Sequence, residues 1–157
     1  KLWNEAIEAA NKGLELNPDH RGAMMCRALA NLNKKKYDLA TKQFTDVINF
    51  LKNTLTKDDL TGRGALAAAY ANRGIIKDRL GKHKLALDDY IKALETDSDS
   101  VGGPGLGHKI IYMINKPSSI RDRAQYIYEQ LQLPEDKRLL SDPEQDAEQR
   151  MHKPGKL

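Results

Sequence analysis

The stretch "ANRGIIKDRLGKHKLALDDYIKALETD", residues 71–97, contains two runs in which apolar or small side chains recur three and four positions apart. This spacing places them on one face of an α-helix, so each run predicts an amphipathic helix rather than a strand. Between the two runs, Leu80 to Lys82 supply a short reversal of the chain. The stretch therefore predicts a hairpin of two helices.

The second helix of this hairpin has two further copies upstream. The segment "WNEAIEAANKGLEL" (3–16) aligns with "YDLATKQFTDVINF" (37–50) at a shift of 34 residues, which places Ala6 over Ala40. The segment "HKLALDDYIKALET" (83–96) is the third copy, at a further shift of 46 residues. The longer shift equals the period of 34 plus an insertion of 12 residues. A fixed period predicts stacked, structurally equivalent units.

The first helix of the hairpin is repeated as well. The segment "AMMCRALANLNKKK" (23–36) corresponds to "AYANRGIIKDRLGK" (69–82), with Arg27 over Arg73. Each complete unit therefore has two amphipathic halves joined by a short turn. We accordingly predict an all-α protein built from repeated helix hairpins.

These residues resemble the tetratricopeptide repeat (TPR), a helix–turn–helix pattern of about 34 residues with small and aromatic markers. The resemblance covers residues 1–100 and departs from the pattern at Ala28, His83 and Ser98. It implies a TPR-like superhelical array of antiparallel helix hairpins, an α-solenoid. The residues that fill the small and aromatic positions, together with the proline that ends a unit, are Gly74, Gly81, Ala86, Tyr90, Ala93 and Pro18.

The period also divides the chain into predicted domains. The TPR array spans 1–100 and consists of a half unit 2–20, a unit 21–54, an insertion 55–66 and a unit 67–100. Asp58 or Asp59 is expected near a helix start within the insertion. Residues 101–133 are predicted to form a capping helix hairpin, with helices over 107–115 and 118–133, and residues 134–157 a short helix and an extended tail.

Two contacts inside the hairpins are expected from the residue types. Paired helices approach to about 8–10 Å only where one of them presents little bulk. We therefore expect Ala28 or Gly74 to meet Ala40 or Ala86 closely. In addition, Arg73 is expected to form an ion pair across its hairpin with one of the two adjacent aspartates at positions 88 and 89.

Composition excludes several functional classes. The 26 cationic and 22 anionic residues are interspersed along the chain, and the net charge of +4 is too small and too mixed for a nucleic-acid footprint. The single Cys26 excludes an intramolecular disulfide and a thiolate metal site, and we predict it to be a small core residue. No run approaches the roughly 18 apolar residues of a membrane span. The compartment, cytoplasm or bacterial periplasm, stays open.

The glycine-rich segment "GGPGLGHK" (102–109) is the candidate for a nucleotide-binding site, which would make the protein an enzyme. Gly102 and Gly107 have the spacing of a phosphate-binding loop, but His108 occupies the lysine position and Lys109 the hydroxyl position. We interpret the segment as a change of direction between the array and its cap. No histidine has a partner at helical spacing, so we predict no catalytic residue, no cofactor and no metal. A nucleotide-binding enzyme is the least favoured alternative.

The resemblance implies a non-enzymatic scaffold that binds a protein or peptide partner along the concave wall formed by the first helices of the units. Met25 and Leu29 replace the Lys and Asn of a chaperone-tail clamp, so that variant is not expected. The resemblance also implies that Gly22, Cys26 and Asp78 face the groove. The implied partner-binding residues are Met25, Leu29, Leu32 and Asn33 in one unit and Ala68, Ala71, Asn72, Ile75 and Arg79 in the next.

Three alternatives remain at this point. In the first alternative, the groove residues are covered by further repeats, by the insertion or by the chain's own tail. A nucleic-acid-binding helical repeat protein would need a slightly longer period and a positive groove. The half unit 2–20 leaves an apolar helix face exposed, for which we expect either self-association into a homo-oligomer or an upstream repeat.

Overall fold

A computed structural model describes residues 1–101 and 120–140 of the chain. These residues contain six α-helices, one 3-10 turn and no strand, so the prediction of an all-α protein is confirmed for them. None of the helices among them is long and apolar enough to cross a membrane. The elements are α1 (Leu2–Leu16), α2 (Arg21–Asn33), α3 (Tyr37–Thr54), α4 (Leu60–Arg79), α5 (His83–Val101), α6 (Ile120–Gln132) and the 3-10 turn Glu135–Lys137.

The helices pack mainly in the order in which they follow one another. Each of α1 to α5 contacts the next helix along the chain, and α2 also touches α4. The interface between α4 and α5 is the most extensive of these. A single apolar core runs from α2 to α6, with fully buried Phe44 in α3 and Tyr90 in α5.

The turns after α2 and α4 have the same geometry, 46 residues apart. Lys35 and Gly81 adopt left-handed conformations, with φ of 57° and 72°. The amides of Lys36 and Lys82 each donate to the carbonyl five positions earlier, at 3.0 and 2.8 Å. The two turns are therefore equivalent in backbone conformation.

The crossing of α4 and α5 depends on a glycine, Gly74, because a residue with a side chain would not fit there. A Cβ atom added to Gly74 would lie 2.7 Å from ring carbons of Tyr90 and 3.3 Å from the carbonyl oxygen of Ala86. The expected close approach of Gly74 and Ala86 is thereby confirmed. Ala28 and Ala40, the corresponding residues of the preceding hairpin, are both fully buried.

The segment 55–66 is only partly a loop. Because α4 begins at Leu60, the loop is confined to residues 55–59 and the rest of the segment is helical. Asp59 is the N-cap of α4, and its Oδ1 accepts from the amide of Gly62 at 2.7 Å. Helices α3 and α4, with 18 and 20 residues, are longer than α1 and α2, with 15 and 13.

The C-terminal elements match the expectation in part. Helix α6 lies within the segment 118–133 where a helix is predicted, whereas the helix predicted over 107–115 lies outside the described residues. The short helix expected after Pro134 is a 3-10 turn, and the tail beyond residue 140 is also outside the described residues. Helix α5 is kinked at Asp97, whose carboxylate accepts from the amide and hydroxyl of Ser100 at 3.1 and 2.7 Å.

Candidate functional site

An apolar groove of about 580 Å³ is lined by residues of α1, α2 and α4. Helix α2 supplies Met25 and Leu29, which are half-buried and pack against the core. Helix α1 supplies Trp3 and Ala6, and the first turns of α4 supply Thr61 and Ala65. The groove thus presents an aromatic ring, small residues and flexible aliphatic side chains to whatever occupies it.

Cys26 also lines this groove. Its side chain is exposed, and its Sγ lies 4.0 Å from the carbonyl oxygen of Ala6. The interpretation of Cys26 as a core residue is therefore wrong. The thiol lies at the groove beside the backbone of α1 at Ala6, and no helix among the described residues covers it.

A polar cluster borders one end of the groove. Arg21 at the start of α2 forms an ion pair with Asp59, the N-cap of α4. The hydrogen bond from Arg21, with that from the Gly62 amide, holds the pKa of Asp59 below its usual value. Nδ1 of His20 accepts from the amide of Ala23 at 3.1 Å and caps α2. These bonds hold together the helix starts that border the groove.

The structure separates the predicted partner-binding residues into three groups. Met25 and Leu29 line the groove, as do Gly22 and Cys26. A second group lies in the protein interior, at most 2% exposed, and presents no surface to a partner: Leu32, Ala71, Asn72 and Ile75. A third group is half-buried and does not line the groove: Asn33, Ala68 and Arg79.

The burial of Asn72 has a specific cause. Its Nδ2 donates to the carbonyl oxygen of Ala68 on the same helix at 2.8 Å, so the amide points back along α4. Helix α4 packs on α3 and α5, touches α2 and forms an ion pair with α6. Neighbouring helices therefore cover most of the face that the repeat pattern assigns to a groove.

Four residues line the groove that the repeat pattern did not predict there: Trp3, Ala6, Thr61 and Ala65. Trp3 could have been predicted from the sequence, because it is the only tryptophan of the chain and lies in the first turn of an amphipathic helix. Its side chain is 40% exposed, which is high for a residue of this size. Thr61 and Ala65 could not have been predicted from the repeat, since the segment that contains them was predicted to be an insertion.

A buried charged cluster joins α4, α5 and α6. Arg123 of α6 is fully buried, and its Nε and Nη2 each donate to a carboxylate oxygen of Asp78 at 2.7 Å. The hydroxyl of Tyr90 and Nδ1 of His83 also lie 3.2 Å from this carboxylate. The assignment of Asp78 to a groove is therefore wrong, because α6 covers it.

The charges in this cluster compensate one another. Burial alone would raise the pKa of Asp78, but the hydrogen bonds from Arg123 and His83 outweigh it and keep that pKa below its usual value. Burial also raises the pKa of the Tyr90 hydroxyl well above 10.0. The cluster is a buried structural contact that joins α4, α5 and α6.

A second ion cluster confirms the predicted pairing across the hairpin. Nε and Nη2 of Arg73 donate to the two carboxylate oxygens of Asp89, both at 2.8 Å, and Nζ of Lys77 lies 2.7 Å from the same carboxylate. Nη1 of Arg73 donates to the hydroxyl of Thr45 in α3 at 3.0 Å. The hydrogen bond to Asp89 raises the pKa of Arg73.

A second concavity, of about 760 Å³, lies between the start of α5 and the segment 131–140. Leu85 and Leu139 give it apolar surface, while Lys82, Lys84 and Arg138 line it with positive charge. Within the described residues, no group of three or more His, Cys, Asp or Glu side chains is arranged to hold a metal ion.

Comparison with known proteins identifies no relative of this chain. No protein-family profile matches the chain, and neither a curated protein nor a solved structure is significantly similar to it.

Proposed function

We propose that this chain is a non-enzymatic protein–protein interaction scaffold, a TPR-like α-solenoid with a C-terminal capping helix pair. In this proposal a peptide or protein partner binds in the groove formed by α1, α2 and α4. The observation that carries the proposal is the apolar groove itself, in which Trp3, Met25 and Leu29 remain accessible.

The repeat pattern supports the α-solenoid part of the proposal. Copies of the second helix are in phase at 3–16, 37–50 and 83–96, and the two tight turns share one backbone geometry. The helices also contact mainly their neighbours along the chain, as units of a solenoid do. A closed bundle would bring more distant helices together.

The chemistry of the groove supports partner binding. A half-exposed tryptophan offers a large rigid contact area, and methionine adapts to irregular apolar surfaces. Contiguous apolar surface of this kind marks interaction sites in proteins. The ionisable side chains that line the groove are those of His20, Arg21 and Cys26.

The proposal is tested by selecting peptides from a random library on the immobilised protein and measuring their dissociation constants. We expect Leu29→Arg to weaken the selected peptides at least about tenfold, because it places a charge in the apolar groove. Leu39→Arg is the matched control, since Leu39 is 44% exposed on α3 and does not line the groove. Equal binding by both variants would contradict the proposal.

A further inference from the structure

Independently of the groove, we propose that the cavity between the start of α5 and the segment 131–140 binds an acidic segment of the chain itself, residues 141–149. This segment follows directly on Leu140, which lines the cavity. The charge of the cavity, the spacing of the acidic residues and the short covalent connection each support the assignment.

The cavity carries an excess of positive charge. Lys82 and Lys84 line it at the start of α5 and Arg138 lines it from the other wall, whereas Glu135 is the one carboxylate among the described lining residues. Neither lysine forms an ion pair with a carboxylate in the described part of the chain. Cations around one concavity repel one another, and an anionic occupant offsets that repulsion. The cavity therefore favours a segment with several carboxylates.

The C-terminal wall of the cavity is held against α6 by hydrogen bonds. Nε of Arg138 donates to the carbonyl oxygen of Leu133 at 2.9 Å. The amide of Leu139 donates to Oε1 of Gln130 at 2.7 Å, and its carbonyl oxygen accepts from the hydroxyl of Tyr126 at 2.8 Å. The chain therefore continues into its next segment from a wall that is fixed beside the two lysines.

The segment "SDPEQDAEQ" (141–149) has the matching charge pattern. It contains no Lys or Arg, and its acidic residues recur at every second position. Alternate side chains of an extended chain point to the same side, so an extended segment presents all of its carboxylates on one face. Proline at position 143 favours this conformation, because it disfavours a helical backbone at the preceding residue. The acidic residues are Asp142, Glu144, Asp146 and Glu148.

The covalent connection favours this segment over an acidic peptide from another protein. A single exposed ion pair contributes little to binding, so the cavity alone would hold a free acidic peptide weakly. The segment is joined to a residue of the cavity wall, which gives it a local concentration on the order of millimolar. Fully extended, it spans about 30 Å at most, which is enough to carry its carboxylates across the cavity.

The test follows the segment in the full chain with a paramagnetic label. A nitroxide is attached to Gln145→Cys in a Cys26→Ser background, so that it reacts at one position only. The label broadens the NMR resonances of nearby backbone amides. We expect strong broadening at Lys84 and much weaker broadening at positions 38 and 39, which are the equivalent positions in α3.

The charge dependence of the broadening decides the inference, because the short connection alone keeps the label in the neighbourhood. We expect the paramagnetic relaxation at Lys84 to fall at least about threefold in 1 M salt, or when all four acidic residues are changed to Asn or Gln. Lys82→Glu should lower it in the same way. Lys36→Glu is the matched control and should have little effect, since Lys36 is exposed at the equivalent position before α3 and does not line the cavity.

An exchange of charges separates a direct contact from a structural disturbance. The pair Lys82→Glu with Lys84→Glu should release the label from the cavity. Adding Glu144→Lys with Asp146→Lys to that variant should restore the broadening, because the signs of the two surfaces are then reversed together. A merely structural effect of the lysine substitutions would not be rescued.

The inference is overturned if the relaxation at Lys84 does not respond to these changes of charge. Broadening that occurs only between a labelled chain and a second, isotope-enriched copy would also overturn it, since the occupant would then belong to another molecule. An acidic library peptide that shifts the Lys84 amide without releasing the label would assign the cavity to a partner instead. The scaffold proposal is judged separately, because Leu29 lies in the groove of α1, α2 and α4.

Discussion

Small side chains decide how closely the helices of this protein approach one another. Gly74 and Ala86 meet at the α4–α5 crossing, and the ring of Tyr90 fills the space beside them. The repeat pattern predicted these positions correctly because a close crossing makes a local demand on residue size. It did not predict that Cys26 stays exposed, since exposure depends on how the neighbouring helix is placed.

Overpacking of this crossing should destabilise the fold. We expect Ala86→Leu to lower the free energy of unfolding by about 1–3 kcal/mol, because Ala86 is fully buried against Gly74. Urea unfolding followed by circular dichroism measures the difference. Ala9→Leu, at an exposed position, serves as the control and should change stability by less than about 0.5 kcal/mol. A tolerated Ala86→Leu would show that the helices can separate.

The turn after α2 contains a lysine in a backbone conformation that favours glycine. Lys35 has φ of 57°, a conformation that costs a non-glycine residue about 1 kcal/mol, whereas glycine occupies the equivalent position in the turn after α4. We expect Lys35→Gly to raise the free energy of unfolding by about 0.5–1 kcal/mol. Lys36→Gly, where φ is −82°, should instead be neutral or destabilising. Thermal unfolding of both variants decides the point, and a lower melting temperature for Lys35→Gly would contradict it.

At the scale of elements, periodicity predicted the helices well and their surroundings less well. The apolar spacing of three and four residues identifies α2 to α5 and places α6 within 118–133. The resemblance to the repeat family assigned Asp78 to an open groove, although the buried Arg123 of α6 binds it. That contact joins residues 45 positions apart in the chain, and no local pattern reports it.

The pair of Asp78 and Arg123 should be costly to break on one side only. We expect Asp78→Leu or Arg123→Met to cost about 3–5 kcal/mol each, because either change leaves a buried charge without its partner. The double variant Asp78→Leu with Arg123→Met removes both charges and should be markedly more stable than either single variant. Chemical denaturation of the four proteins gives the coupling energy. Additive losses would show that the pair acts as two independent residues.

For the whole molecule, the sequence predicts the fold better than the site. The fold follows from patterns that each hairpin carries by itself, so three copies of one pattern suffice to predict all-α packing. A binding surface is what remains after all helices have covered one another. Leu32 and Ile75 were assigned to a groove by position and are buried, while Trp3 and Ala65 line the groove through the packing of α1, α2 and α4.

The single thiol offers a test of the groove in the intact protein. Cys26 is exposed and close to Ala6, so a maleimide reagent should label it in the folded state. A bulky adduct on Cys26 fills the space beside Met25 and should abolish binding of peptides that depend on Leu29. Conversely, a bound peptide should slow the labelling in proportion to occupancy. Treatment of Cys26→Ser with the same reagent controls for modification elsewhere, and undiminished peptide binding by the labelled protein would place the partner outside this groove.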